Sequence, residues 1–204
     1  MPRLTAAAKT EVRERLLAAA AEEFAAAGFD AARIDTIAAR AGVAKGSVYN
    51  YFSTKEDLFA AVIAEGARAA AENFHRLPTG GTTRETLEAL AAADVEVVRV
   101  QEAFQKVVVR EAMSFRPTTY PLVVEHLAPY ISAVTGVIES GVASGEVRSD
   151  QPSAQLALAF VGILGLLYVQ HWGSGGTWPT LDEIPRLAVT LFYDGAGPRD
   201  GSSS

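Results

Sequence analysis

Along most of the chain apolar residues recur three and four positions apart, the spacing of one helical face, and no run of alternating β-branched residues is flanked by hairpin turns. The first such face runs from Lys9 to Ala27 through Val12, Leu16, Leu17, Ala20 and Phe24, with Gly28 placed to cap it. A short second helix carries Ile34, Ile37, Ala38 and Ala41 and closes at Gly42; a third spans Ala44 to Phe52. A long helix opens at Ser53 or Thr54, where Ser53-Thr54-Lys55-Glu56 fits a capping box in which Ser53 bonds the amide of Glu56. Leu58, Phe59, Val62 and Ile63 form its buried face.

The remaining pattern is also helical. Leu77 to Thr83 reads as a loop, followed by helical spacing from Arg84 to about Phe115 with room for one break. Arg116 to Pro121 interrupts it before a helix over Leu122–Ser144. After a turn over Gly145–Pro152 come an apolar helix, Ser153–Trp172, and a last one, Leu181–Tyr193, interrupted near its start by Pro185. Gly195 to Ser204 reads as a frayed tail. The fold class expected is all-α, without internal repeats.

Composition narrows the function. With 204 residues, 49% of them hydrophobic, the chain can bury one core or two small ones. It has no cysteine, which excludes disulfides, thiolate nucleophiles and Cys-ligated zinc. The amino end lacks the apolar stretch of a signal peptide, so a cytoplasmic address is expected. His75, His126 and His171 are widely separated with no HExxH spacing, and no phosphate loop or GxSxG elbow occurs; no metal, cofactor or enzymatic activity is implied. The net charge is −6, but residues 1–60 hold eight basic groups (Arg3, Lys9, Arg13, Arg15, Arg33, Arg40, Lys45 and Lys55) against eight acidic ones. The acidic excess therefore lies in the rest of the chain, and a local patch decides phosphate affinity more than total charge does. No charged residue occurs from Gln151 to Leu181, yet the continuous apolar run Leu156–Val169 is shorter than the roughly 20 residues of a membrane span; a buried helix and no membrane association are expected.

The two short helices around Gly42 carry the chemistry. A helix-turn-helix needs a small residue at the turn and an apolar one after it, here Gly42 and Val43, with Ile37 and Val48 closing a small core. The second helix then presents Lys45, Ser47, Asn50 and Tyr51, groups that suit phosphates and base edges, and its first amides form a positive dipole end. On spacing alone an ordinary corner between two helices remains open.

The string Ile37-Ala38-x-x-Ala41-Gly42-Val43-x-Lys45-Gly46-Ser47-x-Tyr49-x-Tyr51-Phe52-x-x-Lys55-Glu56-x-Leu58 resembles the DNA-binding signature of the TetR (tetracycline repressor) family, and Phe24 with Gly28-Phe29 matches that family's first helix. The resemblance is close over residues 9–62; beyond it the helical architecture agrees, together with the turn Gly141-x-x-x-Gly145-Glu146-x-Arg148. It implies an all-α, Ω-shaped homodimer: a helix-turn-helix DNA-binding domain over residues 1–54, a helical ligand-binding and dimerisation domain over 55–194, and a flexible tail over 195–204. It further implies a repressor of a palindromic operator, released by a small lipophilic ligand.

Carried onto these positions, the resemblance places Lys45, Gly46 and Ser47 at the start of the recognition helix, Tyr49 and Lys55 on phosphates, and Asn50 and Tyr51 near bases or backbone. The chain departs from the family at Arg33, where Ser or Thr is common, and at Asp35, where a basic residue is frequent; Arg33 or Thr36 is expected to supply a backbone contact and Asp35 none. Aromatic and apolar residues with a few polar tips offer a candidate ligand pocket: Phe104, Val108, Arg110, Met113, Phe115, His126, Tyr130, Tyr168 and Trp172. Arg110 would pair either with a ligand anion or with Glu111 or Glu125. Ala159, Gly162 and Gly165 of the apolar helix, with Leu187, Leu191 and Phe192 of the last one, form the candidate dimer interface. Two rival readings are a helical adaptor that has lost operator binding and a membrane-associated protein.

Overall fold

The computed structural model describes residues 6–74 and 80–195, so the greater part of the carboxy-terminal tail (196–204), His75 and the first part of the expected loop (77–79) lie outside the described residues. The described residues form nine α-helices and no strand: α1 (Ala6–Ala31), α2 (Ile34–Arg40), α3 (Lys45–Val48), α4 (Lys55–Phe74), α5 (Thr83–Val100), α6 (Glu102–Ser114), α7 (Tyr120–Ser144), α8 (Ser153–Gly173) and α9 (Ile184–Asp194). The all-α class expected from the periodicity is the class observed. The chain divides into two compact units, Met1–Arg68 with Gln101–His126, and Ala69–Val100 with Leu127–Ser204.

In the first unit α1 packs against α2 and α6. Leu16, Ala20 and Phe24 of α1 meet a core that also holds Ile37, Val48, Leu58, Phe59, Val62 and Ile63, all nearly inaccessible to solvent. Each large side chain of this set stabilises the unit by roughly 1.5–3 kcal/mol through burial. Phe59 meets Phe24 and Phe29 edge-on, with centroids 5.0 and 4.9 Å apart, an arrangement that matches ring edges to ring faces. The hydrogen-bonded run of α1 continues to Ala31 but is kinked at Gly28, whose backbone is non-helical. Gly66 of α4 is a close-approach glycine: an added Cβ would lie 3.0 Å from a Val108 methyl, and its carbonyl accepts from Gln105 Nε2 at 2.9 Å.

Two helices next to the turn, α3 and α4, differ from the sequence expectation in ways that bear on the site. The capping box of α4 sits one residue later: the Asp57 amide donates to Thr54 Oγ1 at 3.0 Å and the Thr54 amide to Asp57 Oδ2 at 3.1 Å. The helix begins at Lys55, so Thr54 rather than Ser53 occupies the capping position, and Asp57 rather than Glu56 reaches back. Helix α3 is also shorter than the expected Ala44–Phe52. After Val48 the chain tightens, with Asn50 bonding the carbonyl of Ser47 and Tyr51 that of Val48, three residues back rather than four. Gly46 and the β-branched Val48 are weak helix formers, and no side chain caps the helix start.

In the second unit α9 packs against α5 and α8. Leu87, Leu90, Ala91, Val95 and Val98 of α5 are buried, as are Ala157, Phe160, Leu164, Leu167 and Tyr168 of α8. The start of α5 is tied by its Thr83 amide, which donates to Glu146 Oε2 at 2.6 Å, and by Arg84, which pairs with Asp194 at 2.8 Å and lies over the Tyr193 ring. Pro185 falls in the first turn of α9, where its missing N–H costs no helical bond. By length and composition α7 and α8 are each apolar enough to cross a membrane.

Candidate functional site

The turn between α2 and α3 follows from a few residues. Gly42 has φ 68°, a left-handed conformation that costs an L side chain roughly 1–2 kcal/mol. There its amide bonds the carbonyl of Ala39 while the Val43 amide bonds that of Ala38, satisfying the last carbonyls of α2. Ile37, Ala38, Ala41, Val48 and Phe52 are buried and Val43 half-buried, so the two helices share one small core. Arg33 precedes α2 without a side-chain cap; its own amide donates to Glu23 Oε1, a buried carboxylate of α1, at 3.2 Å.

This framework leaves Lys45, Gly46, Tyr49 and Asn50 exposed, with Ser47 and Tyr51 half-buried beside them. Tyr49, at 49% exposure, is not a core residue. Arg33 is exposed and Thr36 half-buried on α2. The two predicted lysine contacts already have partners within the chain. Lys45 Nζ lies 2.9 Å from Asp35 Oδ1, and the same carboxylate is 3.8 Å from Arg33. Lys55 Nζ donates to the Asp30 carbonyl at 3.1 Å and stands 5.0 Å from the centroid of the Phe29 ring. Both sites are polar and accessible enough for a phosphate oxygen to compete, since exposed ion pairs contribute only about 0–1 kcal/mol. Arg40 joins α2 to α1 through Glu22 at 2.9 Å, a contact for which only the Glu22-Glu23 pair on the first helix was a sequence signal.

The candidate pocket residues are divided between the two units. Phe104, Val108, Arg110, Met113, Phe115 and His126 belong to the first unit, Tyr130, Tyr168 and Trp172 to the second. Val108 and Phe104 pack on Gly66. Arg110 pairs with neither Glu111 nor Glu125; it donates to the Ala25 carbonyl at 3.0 Å and lies beside Gly28. Glu111, fully buried, accepts instead from Thr119 at 2.7 Å and Ser114 at 3.2 Å. Phe115 and Met113 are exposed, by 77 and 39%, and His126 faces the Leu122 carbonyl at 2.8 Å.

Tyr130, Tyr168 and Trp172 do gather, around a residue that the sequence reading missed. Tyr168 donates its hydroxyl to Asp94 Oδ2 at 2.8 Å and stacks on Trp172 with centroids 5.8 Å apart. Tyr130 is buried, and its hydroxyl is held protonated by that burial and by the charge on Asp94. Burial pushes the Asp94 carboxyl up to about 6, opposed by the Tyr168 hydrogen bond. A signal existed: Asp94 follows Leu87 by seven residues and Leu90 by four, so a carboxylate occupies the core-facing register of α5. Among the described residues no cluster of three or more metal-ligating side chains forms.

On α8, Ala159 and Gly162 are exposed and Gly165 half-buried; on α9, Leu187 and Phe192 are half-buried and Leu191 exposed. Leu158, Leu166 and Val169, exposed by 55, 56 and 43%, extend the same apolar face. A Cβ at Gly162 would meet nothing within the chain. Phe192 also packs edge-on against Phe160, so part of the expected interface serves the unit's own core.

Known proteins share these features. The family model for bacterial regulatory proteins of the tetR family matches residues 16–62, the span of the helix-turn-helix and its flanking helices. The HTH-type transcriptional regulator SrpR of Pseudomonas putida is 28% identical over 203 residues, covering 93% of this chain and 94% of its own. TtgW, an uncharacterised HTH-type transcriptional regulator of the same species, is 36% identical over 105 residues, 52% of this chain and 76% of its own. The crystal structure of AibR in complex with isovaleryl coenzyme A and operator DNA superposes with a TM-score of 0.74 at 18% identity, covering 89% of this chain and 98% of that one. With a buried helix-turn-helix core, an exposed Lys45–Tyr49–Asn50 surface and these relatives, the chain belongs to the TetR family of bacterial regulatory proteins and is a transcriptional regulator, not an enzyme.

Proposed function

We propose that the protein is a cytoplasmic, homodimeric repressor that binds a palindromic operator through residues 1–54 and is released from it by a small lipophilic ligand held within residues 55–194. The observation that carries the reading is the α2–α3 surface: Lys45, Tyr49 and Asn50 stand exposed on a framework that buries Ile37, Ala38, Ala41, Val48 and Phe52. Such a surface meets the major groove with donors for phosphates and base edges. Two copies related by a two-fold axis would read half-sites about 34–36 Å apart.

The uncovered apolar stripe of α8 and α9 supports dimerisation. Leu158, Gly162, Leu166, Val169 and Leu191 would be covered by the same face of a second copy, and an isologous contact of this kind makes a closed dimer. The apolar character of α8, otherwise compatible with a membrane, is then accounted for by protein on both sides. For the ligand, the acyl thioester bound by AibR is a relevant chemistry, since that protein has the same fold.

The test is fluorescence anisotropy of the full chain on DNA from its own upstream region at two salt concentrations, with Lys45→Ala and Tyr49→Ala. Salt-sensitive dimer binding weakened by both substitutions is expected. A second reading, an adaptor without operator affinity, is favoured by the engagement of Lys45 with Asp35 and Lys55 with Asp30. It predicts no specific complex at either salt concentration.

A further inference from the structure

We propose that Asp94, with Tyr168, Tyr130 and Trp172 around it, is a binding site for a protonated amine carried on an apolar ligand. The proposal rests on the reading of a small lipophilic ligand above and assigns that ligand a cationic head group in place of an acyl thioester. It begins with the position of the carboxylate. Asp94 sits on the face of α5 that buries Leu87, Leu90, Ala91 and Val98, where an ionised group is costly unless a cation accompanies it.

Among the described residues the chain supplies one hydrogen bond, from Tyr168 at 2.8 Å, and no cation. The basic groups of the helices around it are committed elsewhere. Arg84 pairs with Asp194, Arg99 with Glu96 and Asp182, and Arg148 with Asp150. His171 faces the Pro179 carbonyl, and Arg186 of α9 is exposed beside Glu183. At neutral pH a carboxyl that titrates near 6 is mostly ionised, so the site carries a negative charge that no cation among the described residues matches.

The surroundings select the ligand's form. The Tyr168 hydroxyl bonds the carboxylate, Tyr130 lies within reach of its charge, and Trp172 stacks on Tyr168 with an interplanar angle of 26°. An ammonium placed there gains a carboxylate and ring faces together, while its apolar body meets the apolar residues of the unit. As whole residues Asp94 and Trp172 are half-buried, whereas Tyr130 and Tyr168 are closed off. A carboxylate acting only as a helix-to-helix tie would need its Tyr168 bond and no charge, which separates the two roles experimentally.

The experiment uses the full chain carrying Trp178→Phe, which leaves Trp172 as the sole indole reporter, since the sequence has two tryptophans. Decylamine, decanol and decanoate are titrated below their micellar concentrations at neutral pH while Trp172 emission is followed. Saturable binding of decylamine, at least about tenfold tighter than decanol, with decanoate the weakest, is expected from the charge of the site. Asp94→Asn keeps an oxygen for Tyr168 and removes the charge. It should abolish the preference for decylamine over decanol. The comparison of head groups on the unsubstituted Asp94 site stands whether or not that variant folds. Equal affinity for the three head groups, or an amine preference retained in Asp94→Asn, overturns the proposal while leaving a lipophilic pocket. Absence of binding by all three overturns it together with a lipophilic site at this position. Asp94-dependent amine binding without release of operator DNA sustains the site and contradicts the repressor-release reading instead.

Discussion

Two aspartates illustrate how differently the two units use charge. Asp35, in the helix-turn-helix, is exposed and shared between Lys45 and Arg33. Asp94, in the second unit, lies among Tyr130, Tyr168 and Trp172, with a phenol as its hydrogen-bond donor and no cation at hand among the described residues. Water screens the first pair, so its partners can be exchanged for a phosphate at little cost. Low polarity amplifies the second, so its missing counter-charge matters. One carboxylate tunes an interface that is already charged; the other creates the requirement for a ligand of particular chemistry.

The largest expected effect comes from neutralising the buried member. Folding raises the Asp94 carboxyl from 3.8 to about 6, so between those values the native state holds a proton that the unfolded chain has released. Its contribution to stability is therefore most favourable below about pH 4, declines as pH rises towards 6 and stays at its least favourable above that. The displacement corresponds to about 3 kcal/mol. Asp94→Asn, neutral throughout, is expected to melt above the wild type at pH 7.5, with the gap closing by about pH 4; identical pH profiles of Tm for the two proteins would contradict the burial of charge.

Removing the one donor to that carboxylate is the next test. Tyr168→Phe leaves Asp94 without its hydrogen bond and is expected to cost about 1–3 kcal/mol in chemical denaturation. In Asp94→Asn the same substitution should cost less, because a neutral acceptor loses less than a charged one. Equal costs in both backgrounds would assign the loss to packing.

The exposed pair should respond on binding rather than on stability. Lys45→Ala is expected to weaken operator binding about tenfold and to lower the slope of log affinity against log salt by about one. Asp35→Ala should have the smallest effect. It releases Lys45, strengthens DNA binding a few-fold and changes folding stability by no more than about 1 kcal/mol. If Asp35→Ala instead weakens binding, Asp35 is positioning Lys45 rather than competing for it.

The contrast also marks what the sequence could reveal. Helix periodicity exposed the all-α fold and the turn at Gly42, because both are local: a left-handed glycine and apolar residues three and four apart act within a few positions. The capping box was misplaced by a single residue, since Ser53 and Thr54 offer the same hydroxyl and only the helix start distinguishes them. The shortening of α3 escaped for a similar reason: a tightened turn leaves the apolar spacing of Val48 and Phe52 unchanged. Long-range partners were hidden more deeply. Asp94 was missed although a charge on the apolar face of α5 was a local signal, and its partner Tyr168 is 74 residues away with nothing local to name it. Arg110 was expected to pair with a ligand anion or with Glu111 or Glu125, yet its partner is a backbone carbonyl, which has no sequence signature.

The most direct test of the regulator reading is the salt dependence of specific DNA binding by the full chain. Anisotropy titrations on its upstream region, and on fragments selected from the genome, should give a dimeric complex whose affinity falls steeply with salt, less steeply in Lys45→Ala. Only weak binding, equal for all sequences and unaffected by Lys45→Ala, would contradict a helix-turn-helix that reads an operator.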